Sequence, residues 1–198
     1  MTSAKIDTMS QPDEHLVGAL VTDLDRGFVA LFHALRHTVF STALRLTGRW
    51  ADAEDLTAEA FLRAYRALSG YPPDRIEELK PRSWLLTIVL NLWRNSLRDA
   101  SRRPATESPE YLSDPPDPPD PASDVEQAVG ERESVRELAH LLTLLPEEQR
   151  VAVVLRHVVD LPVSEMAEIL GRPEGTVKAQ VSRGLRRLRE LYSKEVPR

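Results

Sequence analysis

The stretch VSEMAEILGRPEGTVKAQVSRGLRRLRELY, residues 163–192, decides how the rest of the chain is understood. A periodic apolar run stops at a glycine, a short GRPEG break follows, and a second periodic run starts near Thr176, a residue suited to capping. A helix-turn-helix needs a small residue where its helices cross, a glycine where the chain turns with positive φ, and an apolar residue early in the second helix to pack back. Ala167, Gly171 and Val177 supply these at intervals of four and six, with Met166 and Leu170 as further buried contacts. The non-packing face of the second helix then offers Lys178, Gln180, Arg183, Arg186 and Arg187. Such a helix enters the major groove by its N-terminal end, where Arg and Lys serve phosphates or guanine edges and Gln serves adenine. A merely solvated basic face is the commoner fate of charged residues, but it leaves the coincidence of small, turning and apolar positions unexplained.

Working outward, one helix is expected over about Val125 to Leu144 and another over Glu147 to Val159, with Val151, Val154, Leu155 and Val158 facing inward. Upstream lies PATESPEYLSDPPDPPDP, residues 104–121, which holds seven of the 15 prolines interleaved with Asp. Such a segment neither builds a hydrogen-bond ladder nor buries apolar area, so residues 104–131 are expected to form an extended acidic tether. Before it, Phe28, Leu31, Phe32, Leu35, Val39, Ala43 and Leu46 keep helical spacing up to Gly48, and a second helix runs from near Asp52 to Gly70. A third begins at Pro81, favoured in a first turn, and reaches Pro104, apolar in its first half and basic in its second. No alternating strand pattern with hairpin turns occurs, so the class is all-α: two small helical domains, 28–103 and 132–198, joined by the acidic linker. Residues 1–27 form a poorly defined extension whose stretch HLVGALVTDL reads as a partner-binding arm or a frayed end, the latter slightly favoured.

Net charge is -5, yet residues 28–103 sum to +4 and 172–189 to +5, while 104–131 alone carry -8. Two separated basic blocks are the footprint of nucleic-acid contact. With no cysteine there is no disulfide framework, thiolate metal site or Cys nucleophile. No 18-residue apolar run or basic-plus-apolar leader occurs, so an intracellular protein without a membrane span is expected. The chain lacks a Gly-rich phosphate loop, GxSxG and HExxH, and neither an enzyme activity nor a cofactor is expected.

Within the first block, Asp52, Asp55 and Glu59 share a helix face at three- and four-residue spacing, with Glu54 beside them. Without a neighbouring His or an apolar pocket, a solvated or partner-binding face outweighs an acid–base pair. His33 and His37 are an i, i+4 pair lacking a third ligand, and no metal site is expected. Trp84 reads as core. Trp93 is open between core and surface, because it lies where the helix turns basic, beside Asn91, Arg94, Asn95, Arg98, Arg102 and Arg103. A cationic track with amides and a stacking ring suits single-stranded DNA.

Taken together, FVALFHALRHTVFSTALRLTGRWADAEDLTAEAFLRAYRAL, PRSWLLTIVLNLWRNSLR and LPEEQRVAVVLRHVVDLPVSEMAEILGRPEGTVKAQVSRGLRRLREL resemble bacterial RNA polymerase sigma factors of the extracytoplasmic-function type, over about residues 28–103 and 132–192. The resemblance implies a promoter-recognition subunit that is not itself an enzyme. It implies that Asp52, Glu54, Asp55 and Glu59 dock on a coiled coil of the largest subunit of core polymerase. The helix after Trp84 would hold the melted minus-ten element, with Asn91, Trp93, Arg94, Asn95, Arg98 and Arg102 near the non-template strand. The minus-thirty-five element would be read through Arg172, Glu174, Thr176, Lys178, Gln180, Arg183 and Arg187. Implied partners are core RNA polymerase, promoter DNA as duplex and melted strand, and an anti-sigma factor, in the cytoplasm at the nucleoid.

Several residues depart from that pattern. Arg172 stands at a turn position that is commonly apolar, Gln180 where a basic residue is frequent, and Gly184 inside the second helix costs about 1 kcal/mol relative to Ala. The segment GYPPDRIEELKPR is long and acidic. The competing class is a stand-alone helix-turn-helix regulator binding an operator as a dimer; a protein that merely sequesters polymerase is a third, opposed by the basic helix ends.

Overall fold

The structure, a computed structural model, describes residues 10–102 and 125–195, so most of the expected tether, and Arg103 with it, lies outside the described residues. Among the described residues every regular element is an α-helix: α1 (Ser10–Thr22), α2 (Leu24–Thr47), α3 (Trp50–Leu68), α4 (Pro73–Glu77), α5 (Pro81–Arg102), α6 (Val125–Thr143), α7 (Glu147–His157), α8 (Val163–Leu170) and α9 (Glu174–Glu195).

The helix ends follow local chemistry. Asp23 caps α2 by accepting from the Arg26 amide at 3.0 Å. Gly48 ends α2 in the left-handed region (φ 77°), a conformation that costs glycine little. Gly171 does the same for α8 (φ 59°), and the amides of Gly171 and Arg172 return to the carbonyls of Glu168 and Ala167 at 3.3 and 3.1 Å. The second helix of the pair opens at Glu174, not at Thr176. The Pro173 carbonyl accepts from the amides of Thr176 and Val177, so Thr176 sits inside the first turn rather than capping it. The long segment before α5 contains a turn of helix, α4, with Ile76 buried.

The N-terminal stretch corrects the expectation of a frayed end. α1 packs along α2 and touches α4 and α5, burying Leu16 and Leu20. Each buried leucine contributes about 1.5–3 kcal/mol, which together with the helix's own hydrogen bonds works against the entropy of ordering it. A Cβ on Gly27 would come within 2.5 Å of the Leu20 backbone, so α2 begins under α1, four residues before Phe28.

The two helical modules are packed against each other in one continuous buried cluster running from Leu16 to Val177. α2 lies on α6 and α7, and α5 touches α8. Arg150 of α7 holds the junction. Its guanidinium donates to the Leu46 carbonyl at 2.7 Å, to the Leu145 carbonyl at 3.3 Å and to the Thr143 carbonyl, and lies 5.4 Å from the centre of the Trp93 ring. Leu46 and Thr143 are at the ends of α2 and α6, where carbonyls lack an intrahelical donor, and Leu145 lies in the turn between α6 and α7, so one side chain ties both helix ends and the turn. Burial pulls Arg150 below the usual guanidinium range, with Glu147 opposing the shift. At the rim, Lys80 meets Glu168 at 2.9 Å, Ser83 donates to Glu165 at 3.1 Å, Arg82 donates to the Val159 carbonyl, and Arg94 meets Glu147 at 3.1 Å.

Candidate nucleic-acid and docking surfaces

The α8–α9 pair is set by two close approaches. Met166 and Val177 are buried where the helices cross, while Ala167 and Leu170 are half-buried against the same cluster. At Gly184 a Cβ would come within 2.6 Å of Val153 Cγ2 and 3.1 Å of the Gln149 carbonyl. The glycine that weakens α9 as an isolated helix is therefore what lets it lie against α7. With that rotation fixed, Lys178, Arg183, Arg186 and Arg187 are exposed. Lys178 pairs with Glu174 at 3.2 Å, and Arg183 donates to the Ala179 carbonyl. Arg172 and Gln180 are drawn inward to a neighbour from α7: one oxygen of Glu148 accepts from Arg172 Nη2 at 3.1 Å, the other from Gln180 Nε2 at 2.8 Å.

On α5 the structure separates what the sequence left together. Trp84, Asn91, Asn95, Arg98 and Arg102 are spaced seven, four, three and four residues apart, within about 40° of one line along an α-helix. Asn91, Asn95, Arg98 and Arg102 are exposed, and Arg94 borders them, half-buried through its pair with Glu147. Trp93 is two residues, about 200°, from Asn91 and lies on the opposite face. It is 2% exposed, under Arg150, and in this arrangement is not a stacking surface for a base. Trp84 packs against the core cluster as expected, but only in part. It is half-buried, lies 6.2 Å edge-on to Tyr71, and Arg75 of α4 stacks on Tyr71 at 3.8 Å. The aromatic at the head of the polar stripe is Trp84, not Trp93, and helical rotation from Asn91 was the signal that could have found it.

The four acids of α3 divide between two faces. Asp52, Asp55 and Glu59 line a recess with Leu92, Trp93, Ser96, Leu97 and Ala100 of α5. Asp52 pairs with Arg49 at 3.7 Å and Glu59 with Arg63 at 2.6 Å. Glu54 lies on the rim of a different feature, an open groove between α2 and α3 that is chiefly aromatic: Phe28, Phe32, Phe40, Trp50, Phe61 and Tyr65. Phe32 and Leu62 remain 37% and 44% exposed in the groove. The Thr57 hydroxyl on its wall is buried with no hydrogen-bond partner among the described residues, and Tyr65 donates to Asp25 at 2.7 Å. That hydrogen bond, with the charge of Asp25, holds the Tyr65 hydroxyl above its usual range. An apolar groove along two helices fits the apolar face of a helical partner. Sequence reasoning missed it because the same phenylalanines satisfy the core pattern of α2 and α3. His33 of the histidine pair stands 5.7 Å from the Phe32 ring.

Residues 31–103 match the family Sigma-70 region 2, and residues 135–188 match Sigma-70, region 4. The chain is similar to the ECF RNA polymerase sigma factor SigJ of Mycobacterium tuberculosis, at 38% identity over 156 residues, 78% of this chain and 48% of SigJ. It thus spans about half the length of that relative. It is also similar to SigM of the same organism, at 32% identity over 180 residues, 90% of this chain and 84% of SigM. Among solved structures, the sigma factor RpoE in complex with the anti-sigma factor NepR from Bartonella quintana shares the fold, with a TM-score of 0.59 at 21% identity over 89% of this chain and 99% of that one. No described helix is long and apolar enough to cross a membrane.

Proposed function

Because the chain belongs to the extracytoplasmic-function family of RNA polymerase sigma factors, we propose that it binds core RNA polymerase, directs it to particular promoters and helps open the DNA, acting in the cytoplasm as a subunit rather than as a catalyst. The observation that carries this reading is the presence, on one chain, of two basic faces of different kinds. The face on α9 belongs to a helix-turn-helix and suits a duplex groove. The stripe on α5 combines an aromatic ring, two amides and two arginines, which suits unstacked bases and a single strand.

The roles divide accordingly. Arg172, Glu174, Thr176, Lys178, Gln180, Arg183 and Arg187 serve the minus-thirty-five duplex. Asn91, Arg94, Asn95, Arg98 and Arg102 serve the melted minus-ten strand, with Trp84, Tyr71 and Arg75 as the stack at its head. Extruding a base costs a few kcal/mol, and holding it on such a stripe offsets that cost without nucleotide hydrolysis. The aromatic groove, with Glu54 on its rim, together with Asp52, Asp55 and Glu59 across α3, serves the coiled coil of the polymerase. The packed arrangement of the modules is a closed form: Arg94 is occupied by Glu147, and reading two elements several helical turns apart needs the junction at Arg150 to part. An anti-sigma protein is the further partner we assign, supported by the likeness of fold to a sigma factor solved with one. The dimeric operator-binding regulator is not favoured, since it gives the α5 stripe no task.

The test is abortive transcription by purified core polymerase on a pool of genomic promoter fragments, with and without the chain. RNA from a discrete set sharing a two-part motif, dependent on the chain, is the expected result. Retention of duplex fragments by the chain alone, with no RNA, would overturn the reading.

A further inference from the structure

Glu148 has no part in the roles above, and it is not in the helix-turn-helix at all. It lies in the first turn of α7, yet its two carboxylate oxygens each hold one side chain of the reading surface, Arg172 in the turn and Gln180 in the second turn of α9. A carboxylate only accepts hydrogen bonds. It therefore dictates that the nitrogen end of the Gln180 amide faces Glu148. A glutamine without such a neighbour turns its amide over at little cost, offering a donor or an acceptor to the same base edge. Held as it is, Gln180 keeps one amide proton and its carbonyl oxygen, a fixed donor–acceptor pair of the kind that complements adenine in the major groove. Arg172 likewise commits one N–H and keeps the rest of its guanidinium for phosphate or guanine. Val151, Ala152, Leu170 and Val177 wall the hollow in which these groups meet, and Arg94 of α5 also borders it.

The ionic part of the arrangement is small, and the orienting part is the charge-assisted hydrogen bond from half-buried Gln180. Arg172 and Glu148 are both more than half exposed, and pairs of that kind add little to stability. The effect lies in geometry: a side chain held in one orientation discriminates between bases, and one that turns freely discriminates less.

We propose that Glu148 is a specificity-determining positioning residue of the helix-turn-helix. Without touching a base, it orients Gln180 and Arg172 and so sets which base edge the N-terminal half of α9 accepts. The inference rests on the reading of α9 as the duplex-reading helix of a sigma factor. A rival role is that of a decoy, in which Glu148 occupies the two side chains until DNA phosphates displace it. The roles differ in what Glu148→Gln does, because glutamine keeps the size of Glu148 but no longer dictates which end of Gln180 it meets. Removing a decoy strengthens binding to all sequences alike, whereas removing an orienting group changes their ranking.

The experiment uses the full chain assembled with core RNA polymerase, as wild type, Glu148→Gln, Gln180→Ala and the double variant. Each is given a promoter pool with every minus-thirty-five base pair randomised, and RNA is counted by sequence. Glu148→Gln should lower discrimination at one or two adjacent base pairs by about tenfold, within the range for a single bidentate base contact. Preference at the minus-ten element and the melting temperature should not move. The double variant should be no more relaxed at that position than Gln180→Ala, as two groups acting through one contact require. A ranking that Glu148→Gln leaves unchanged overturns the proposal, whether RNA falls uniformly, as loss of structural support would make it, or rises uniformly, as loss of a decoy would. No promoter-dependent RNA from the wild type overturns the sigma reading itself and the proposal with it.

Discussion

Helices α5 and α9 are both 22 residues long and both carry a stripe we assign to nucleic acid, yet they are anchored in opposite ways. α5 buries Leu85, Leu86, Val89, Leu90, Leu92 and Trp93, so its rotation, and with it the line from Trp84 to Arg102, is fixed by the core. Among its described residues α9 fully buries only Val177 and Gly184; Val181, Leu185, Leu188 and Leu191 are half-buried, and Tyr192 is exposed. Where the core fixes a helix, its exposed face can be polar without further support. Where the packing is thin, orientation of the reading side chains falls to contacts such as those of Glu148. On the proposed reading, the chain would meet two tasks with two kinds of rigidity, backbone placement for capturing a strand and side-chain placement for reading a duplex.

The largest effect that would break this comparison is at Trp93. Replacement by Ala should cost about 3–5 kcal/mol in urea unfolding, the usual range for a buried Trp or Phe truncated to Ala; a loss below about 1 kcal/mol would show that the ring is not core. Next is Gly184→Leu, which forces a side chain into the α7–α9 contact and should cost about 1–3 kcal/mol, as overpacking usually does. Its melting curve decides whether α9 depends on that close approach. Lys80→Ala removes an exposed pair to Glu168 between the modules and should cost no more than about 1 kcal/mol, so a larger loss would move the strength of the junction from Arg150 to its rim. Arg98→Ala should leave stability alone and lower the slope of log affinity against log salt by about one, measured with polymerase on a pre-melted promoter.

The smallest effect is a pH dependence at Asp13. Burial pushes this carboxyl above the ordinary range, Arg82 pulls it part of the way back and Glu165 adds to the rise. The folded state therefore holds the proton more tightly than the unfolded one. The stabilisation from protonation is complete below the unfolded pKa and is lost as pH rises through the folded value. Asp13→Asn should melt slightly higher than wild type at neutral pH, with the difference vanishing in acid; a constant difference at all pH values would exclude the carboxyl as its source.

The helix-turn-helix was legible in the sequence because its constraints are local. Gly171 needs positive φ, Ala167 needs to be small, and both requirements appear as residue types at fixed spacing. The α5 stripe was half legible: the spacing of the amides and arginines puts them on one line, but Trp93 was grouped with them by nearness in sequence when rotation places Trp84 there instead. What could not be read were contacts between distant segments. Nothing in HLVGALVTDL announces that Gly27 leaves room for it, nothing in LPEEQR announces that Arg150 reaches the end of α2, and the phenylalanines of the open groove carry the same pattern as a core. Long-range packing decides each of these, and single-sequence periodicity has no access to it.

The contact between Arg150 and Trp93 also makes the junction visible. The chain has three tryptophans, and an indole close under a guanidinium emits differently from one facing water or hydrocarbon. With Trp50 and Trp84 replaced by phenylalanine, the emission of Trp93 becomes an optical gauge of whether the two modules are joined. The opening we propose for promoter binding could then be followed in real time, without a label, as the cation leaves the ring.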